Sequence, residues 1–290
     1  MTLEKYFNKE ITNIKSLSLE SPEKYREALF DPEKELTNEN WRWLSEKLSN
    51  AERSRRALNY VWILSRAKTL SPDRFSHKGF SQAILKKIEQ ELQENAKGKN
   101  WNLILQNLAD IKIIDTDSFA ELRIEDEIFN RAAAYIKSHQ LDANPYIWKT
   151  YAAEARNLKL TSSRRMKEID FNATAWRSIK DILTHYRNDW TTPDHWVSFA
   201  NLAADCRVAF PEKFPTIELN ESFWREIKEK LDEYSYDKTT AGFINFLGLA
   251  ANLKILAAKS VAVTENGLEI TMPVKKLSEN ELFIPERRKF

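Results

Sequence analysis

A pattern of apolar residues recurs along this chain at nearly constant spacing, and it constrains the fold more than any other feature. Aligned on its leading aromatic residue, the pattern begins at Trp101, Trp148, Trp196 and Phe243, in steps of 47, 48 and 47 residues. So regular a period is typical of repeat proteins, in which each unit packs mainly on its neighbours. The sequence therefore predicts one elongated repeat array with no internal domain boundary.

Each copy of the pattern has the spacing of an amphipathic helix. After Trp148, the apolar residues stand 3, 4, 7 and 10 positions further on, at Tyr151, Ala152, Ala155 and Leu158. These intervals place the side chains on one face of an α-helix. Each copy is therefore predicted to be one helix with a buried stripe.

A second apolar column with the same period lies between these copies. It contains Phe129, Trp176 and Trp224. Each repeat is therefore predicted to be a hairpin of two helices, and a weaker fifth copy of the first helix begins at Ala57. The predicted fold is all-α, an α-solenoid of helical-hairpin repeats over residues 51–260.

The two ends of the chain depart from the repeat. Residues 1–50 predict short helices that form an N-terminal cap, because the end unit of a solenoid must cover the first apolar face. Residues 261–273 alternate in polarity around Asn266-Gly267, which is a strong signal for a β-hairpin. We expect this hairpin to cap the last repeat, and the polar residues 274–290 predict a flexible tail.

Two polar columns persist in all four strong copies. We call them the Asp/Asn column and the basic column; their members are Asp110, Asn157, Asp205 and Asn252, and Lys112, Lys159, Arg207 and Lys254. In a functional interpretation, these eight candidate binding residues face one extended ligand. In a structural interpretation, which we favour, they satisfy helix ends, where basic groups meet the negative end of the helix dipole.

Composition and motifs argue against several classes of protein. Five glycines are few for phosphate-binding loops, the four histidines lack metal-ligand spacing, and the single cysteine, Cys206, excludes an internal disulfide. We therefore expect no metal, no cofactor and no catalytic residue. The formal net charge of +2 gives no sign of a polyanion-binding protein. Without a signal peptide or a bilayer-spanning stretch in the sequence, a soluble cytoplasmic protein is expected.

The repeats resemble two known classes of helical repeat. Paired helices with a period of 47 to 48 residues resemble the HEAT and armadillo α-solenoids. The stretches Asn-Leu-Ala-Asp-Ile-Lys-Ile (107–113), Glu-Ala-Arg-Asn-Leu-Lys-Leu (154–160) and Leu-Ala-Ala-Asn-Leu-Lys-Ile (249–255) are similar to the second-helix endings of octotricopeptide repeats, an RNA-binding family. The period here is longer than the octotricopeptide unit, and both polar columns lie at a helix end, unlike those of HEAT repeats. The resemblance covers about residues 75 to 258 and transfers no catalytic residue.

A curved helical array predicts a binding surface more readily than an active site. We expect a non-catalytic scaffold that binds another macromolecule on its curved face, and the sequence favours a protein partner. Single-stranded RNA held by the basic column is the alternative, and a helical-repeat enzyme is the third possibility. RNA binding would weaken steeply with added salt, whereas apolar protein contacts would not.

Overall fold

The structure is a computed structural model that describes most of the repeat region. The described residues are 42, 57–72, 80–98, 100–122, 124–139, 147–167, 169, 173–188, 193–217, 219–236 and 240–273. The predicted N-terminal cap, apart from Arg42, and the predicted tail at 274–290 lie outside these residues.

Within the described residues the chain is mostly helical, as predicted, and ends in a small antiparallel sheet. Its elements are α1 (Ala57–Leu70), α2 (Gln82–Lys97), α3 (Trp101–Ile114), α4 (Thr116–Glu121), α5 (Asp126–His139), α6 (Ile147–Thr161), α7 (Ser163–Met166), α8 (Ala173–Asn188), α9 (Pro193–Ala209), a 3₁₀ turn (Phe214–Thr216), α10 (Glu221–Tyr236), α11 (Thr240–Ala257), β1 (Ser260–Thr264) and β2 (Gly267–Thr271).

Polar side chains start several of these helices. The Ser81 hydroxyl accepts a hydrogen bond from the Ile84 amide at the start of α2 (3.3 Å), and Asn220 Oδ1 accepts one from the Phe223 amide at the start of α10 (3.0 Å). Such caps satisfy amides that have no partner within the helix.

Five helices contact one another in cyclic order. The helix α1 contacts α3, α3 contacts α6, α6 contacts α9, α9 contacts α11, and α11 returns to α1. A hydrogen bond of 2.9 Å from Lys254 Nζ of α11 to the Leu70 carbonyl oxygen of α1 also joins the two ends. We call these five the ring helices. The predicted elongated array is therefore wrong for this part of the chain, because its first and last units pack together.

The ring helices run parallel. Lys149 Nζ lies 3.4 Å from Ser198 Oγ, near the start of α6 and α9, and Ser65 Oγ donates to Asp110 Oδ1 at 2.8 Å, in the later turns of α1 and α3. A second contact lies further along each pair, from Lys159 Nζ to the Ala209 carbonyl oxygen and from Lys68 Nζ to the Ile114 carbonyl oxygen. Early residues of the five helices also border one common space, namely Trp62, Asn102, Lys149, Val197 and Ile244. All five N-termini therefore lie at one end of the ring.

Four further helices pack around the outside. Each contacts two consecutive ring helices: α2 bridges α1 and α3, α5 bridges α3 and α6, α8 bridges α6 and α9, and α10 bridges α9 and α11. Phe129 and Trp224 of the second apolar column are buried, as that column predicts. Trp176 is half-buried, and its indole Nε1 donates to Thr216 Oγ1 at 3.1 Å.

The described side chains of the apolar stripe are buried in all five ring helices, apart from the half-buried Trp101 at the start of α3. Tyr151, Ala155 and Leu158 have no exposed surface, and Trp148 is 4% exposed. In the weak first copy, the matching residues of α1 are buried too, so α1 belongs to the same ring. The Cys206 thiol lies in this core, where burial raises its pKa well above its ordinary value.

The predicted hairpin is present at residues 260–271. Its strands pair antiparallel, from Ser260 opposite Thr271 to Thr264 opposite Gly267. Gly267 has a φ of 102°, a conformation that favours glycine. A Cβ there would lie 3.1 Å from the Lys112 carbonyl oxygen. The hairpin therefore packs closely on the C-terminal end of α3, and β1 contacts α9.

Candidate functional site

The basic column joins successive ring helices at their C-terminal ends. Lys159 Nζ of α6 donates to the carbonyl oxygen of Ala209 in α9 at 2.9 Å, as Lys254 of α11 does to Leu70 of α1. Both ammonium groups meet the negative end of the neighbouring helix dipole. These contacts support the structural interpretation of this column.

Arg207 makes the equivalent contact from α9 to α11. Its guanidinium donates to the carbonyl oxygens of Leu256 and Ala258 and stacks over the Phe214 ring, 4.8 Å from the centroid. The rigid fork of the guanidinium lets two of its donors bind two nearby carbonyl oxygens at once.

The weak first copy also contributes to this series, whereas one strong copy departs from it. Lys68 of α1, at the basic-column position, donates from Nζ to the Ile114 carbonyl oxygen of α3 at 2.6 Å. Lys112 of α3 instead lies over the Phe119 ring, with Nζ 5.4 Å from the centroid. None of the four basic-column residues lines the cavity described next.

The Asp/Asn column faces the middle of the ring. Asn157, Asp205 and Asn252 line a cavity of about 640 Å³ that is bordered by all five ring helices and by Tyr234 of α10. Asp110 is buried beside it, 1% exposed. The column position in α1 is Arg66, which also lines the cavity.

The cavity opens toward the N-terminal ends of the ring helices. Lining residues near those ends, Asn102, Thr150 and Asn245, are exposed, whereas Arg66 and Arg156 deeper inside are 7% and 6% exposed. We call the first set the mouth and the deeper residues the floor.

Below the floor the ring is filled with apolar side chains. Residues three and four positions beyond the Asp/Asn column lie on the same helix face. They are all buried, and apart from two threonines they are apolar: Thr69, Leu70, Ile113, Ile114, Leu160, Thr161, Val208, Ala209, Ile255 and Leu256. The cavity is therefore closed toward the C-terminal ends.

The floor contains charges held out of water. Arg156 Nη1 lies 3.4 Å from Asp205 Oδ1. Burial raises the pKa of Asp110 and of Asp205, and the charges of Arg66 and Arg156 oppose that rise. Burial likewise lowers the pKa of Arg66. The four groups form a compact network of two positive and two acidic side chains.

Glu154 lies on the cavity wall and is 3% exposed. Burial raises its pKa from the ordinary 4.5 to about 8. At neutral pH this side chain is therefore mostly a neutral carboxylic acid, which can donate as well as accept a hydrogen bond.

Several buried polar atoms of this network lack a hydrogen-bond partner in the described part of the chain. They are Arg66 Nη1, Arg156 Nε and Asp110 Oδ2. An unsatisfied buried polar group costs about 1–3 kcal/mol. These groups of the floor therefore lower the stability of the folded protein when no ligand is bound.

Sequence reasoning found the Asp/Asn column but not the cavity. It missed Arg66, Arg156 and Glu154, which appear in only one copy each at their positions. Glu154 and Arg156 stand six and eight residues after Trp148, where most other copies carry apolar residues, so the repeat pattern contained no signal for them. Arg66 occupies the position of the Asp/Asn column, which is polar in every copy, and that polarity was the available signal.

The described residues contain no cluster of three or more His, Cys, Asp or Glu side chains that could hold a metal ion. Among their helices there is none with the length and apolar character needed to cross a membrane. Comparison of the chain with protein-family models, curated proteins and solved structures finds no match.

Proposed function

We propose that the chain is a closed ring of five helices, with four outer helices packed around it, and that it binds a small polar molecule in its central cavity. One observation carries this proposal: charged and amide side chains from all five ring helices converge on one cavity that is open at one end. Ligand pockets commonly measure about 300–1,000 Å³, and this cavity, at about 640 Å³, falls within that range.

The energetics of the floor support a ligand. Removing an ion from water costs several kcal/mol, and replacing a buried ion pair by packed apolar side chains is often neutral or stabilising. Nothing in ring packing requires Arg66, Arg156 and Asp205 at the centre, because the layer below them is almost entirely apolar. A ligand that completes their hydrogen bonds accounts for the arrangement.

This proposal changes where a macromolecular partner could bind. The contact of α11 with α1 removes the open concave surface on which a partner was expected. The partner would then have to bind on the outer surface or at the mouth, whether it is a protein, which the sequence favours, or single-stranded RNA. Both partners stay predictions. The absence of catalysis also stays a prediction. The cavity admits a small molecule, because it is closed below its floor.

A cavity-filling variant tests the proposal. Ala153 lines the cavity and is half-buried, so Ala153→Phe should occupy the cavity without overfilling the core. Ala134 is exposed on the outer helix α5, and Ala134→Phe is the matched control. Thermal shifts would be measured against a library of small polar molecules.

We expect at least one compound to raise the Tm of the wild type and of Ala134→Phe but not that of Ala153→Phe. Compounds that stabilise all three proteins equally bind elsewhere and would contradict the proposal. A library in which no compound stabilises the wild type would also count against it.

A further inference from the structure

The charges around the cavity do not balance. Lys149, Arg66 and Arg156 supply three positive charges, while Asp110 and Asp205 supply two negative charges when ionised. Glu154 contributes little negative charge at neutral pH, since burial raises its pKa to about 8. Protonation of either aspartate would add to the positive excess. Among the residues that line the cavity, three cationic side chains stand against two acidic ones, Asp205 and Glu154, so the lining favours a negatively charged occupant.

Unused donors point the same way. Arg66 is only 7% exposed, and its guanidinium carbon lies 5.6 Å from the Trp62 ring centroid. Its Nη1 has no hydrogen-bond partner in the described residues, and neither has Nε of Arg156. Guanidinium donors match the oxygens of carboxylates and phosphates in geometry and charge.

The acceptors that could neutralise these donors are only partly available. Asp205 accepts from Arg156 Nη1 at 3.4 Å, which leaves the Nε of the same arginine unused. The unpartnered Oδ2 of Asp110 belongs to a side chain that does not line the cavity. Glu154 is the other acidic side chain of the lining, so cationic side chains outnumber acidic ones there by three to two.

The direction of the ring helices adds to this preference. All five N-termini lie at the mouth, and a helix N-terminus carries about half a positive charge from the helix dipole. At α1 the Glu91 carboxylate already accepts from the Ala57 and Leu58 amides, so the other four helices supply this charge. Lys149, half-buried in the first turn of α6, lies on the same side. An anion that enters meets positive potential at the mouth and the two arginines at the floor.

We propose that the ligand of this cavity is a small organic anion whose carboxylate or phosphate group is bound by Arg66 and Arg156. This inference rests on the proposed ligand-binding function. Amide side chains at Asn157, Asn201 and Asn252 also line the cavity; Asn252 Nδ2 donates to Asn201 Oδ1 at 2.7 Å, and the remaining amide donors and acceptors can bind the rest of the molecule. The ligand therefore carries hydroxyl or amide groups beside its anionic group.

A set of matched probes tests the charge requirement. Small hydroxy-carboxylates would each be paired with the corresponding primary amide, and a second arm would use the corresponding phosphate esters, all at equal concentration and constant ionic strength. Binding would be measured by thermal shift and by titration on the wild type, Ala153→Phe, Arg66→Gln and a surface control, Arg131→Gln. Arg131 lies on α5 with half of its side chain exposed.

We expect the anions to bind the wild type and Arg131→Gln, their neutral amides to bind at least tenfold more weakly, and Ala153→Phe to bind neither. Arg66→Gln should weaken anion binding about tenfold or more, since it removes a charge-assisted hydrogen bond. Whichever set of probes loses more affinity in Arg66→Gln, the carboxylates or the phosphate esters, identifies the bound group.

Each contrary result has a distinct meaning. If amides bind as well as carboxylates and Ala153→Phe blocks both, the anion inference is overturned while the proposed ligand-binding function stands. If anion binding survives Ala153→Phe, or if no probe binds, both fail. Should Arg66→Gln not fold, the comparison of anion with amide on the wild-type protein still decides the inference.

Discussion

At the scale of single residues, the centre of the ring is a place where ionisation and burial compete. Glu154 is 3% exposed, and the cause of its raised pKa is burial alone. Its folded pKa of about 8 lies above the ordinary 4.5 expected in the unfolded chain. At a pH between these two pKa values, Glu154 carries a proton in the folded state and has lost it in the unfolded state. The contribution of Glu154 to the free energy of unfolding therefore decreases as pH rises through this window.

Replacement of Glu154 by glutamine should remove this pH dependence. Glutamine keeps the shape and stays neutral, so Glu154→Gln should match the wild type near pH 4 and become the more stable protein toward pH 8. The difference in free energy of unfolding between the two proteins should reach several kcal/mol, since one pKa unit corresponds to about 1.4 kcal/mol. Urea unfolding at a series of pH values measures it. A gap that stays constant with pH would mean that Glu154 is ionised in the folded protein.

At the scale of elements, the basic column explains how neighbouring ring helices are held in register. Lys68, Lys159, Arg207 and Lys254 each donate to a carbonyl oxygen at the C-terminal end of another ring helix or just beyond it. Such carbonyls have no partner within their own helix. The charge also meets the negative end of the dipole.

Loss of one such bond should lower stability and leave the cavity intact. Lys159→Met keeps most of the packing of the side chain but removes the bond to the Ala209 carbonyl oxygen, so we expect the free energy of unfolding to fall by about 1–3 kcal/mol. Lys137→Met, on the exposed face of α5, is the control and should change it by less than about 0.5 kcal/mol. Lost ligand binding with unchanged stability would restore the functional interpretation of the basic column.

The sequence predicted elements far better than their arrangement. Apolar columns at helical spacing placed the ring helices and three of the four outer helices, and Asn266-Gly267 placed the hairpin, because these signals depend on local geometry. Whether an array closes depends on small rotations between successive hairpins, which the period does not encode. The contact of α1 with α11 is therefore invisible in the pattern. The cavity was hidden for a related reason, since Arg66 belongs to the weakest copy.

At the scale of the whole molecule, closure changes how stability is shared. In an open array each repeat contacts only its neighbours, so a change at one end leaves the other end largely unaffected. In the ring, α11 contacts α1, and the bond from Lys254 to Leu70 spans 184 residues of sequence. The last repeat is therefore a direct neighbour of the first.

Hydrogen exchange on a variant at this junction tests closure. Lys254→Met removes the bond to the Leu70 carbonyl oxygen, and we expect faster amide exchange in α11 and also in residues 57–70, because both helices lose a shared contact. Lys259→Met, on an exposed residue just after α11, is the control and should leave residues 57–70 unchanged. If Lys254→Met speeds exchange in α9, α11 and the hairpin but not in residues 57–70, the ring is open in solution. In that case the cavity would lose one wall, and the proposed ligand site would fail with it, because Trp62 and Arg66 of α1 form part of its lining.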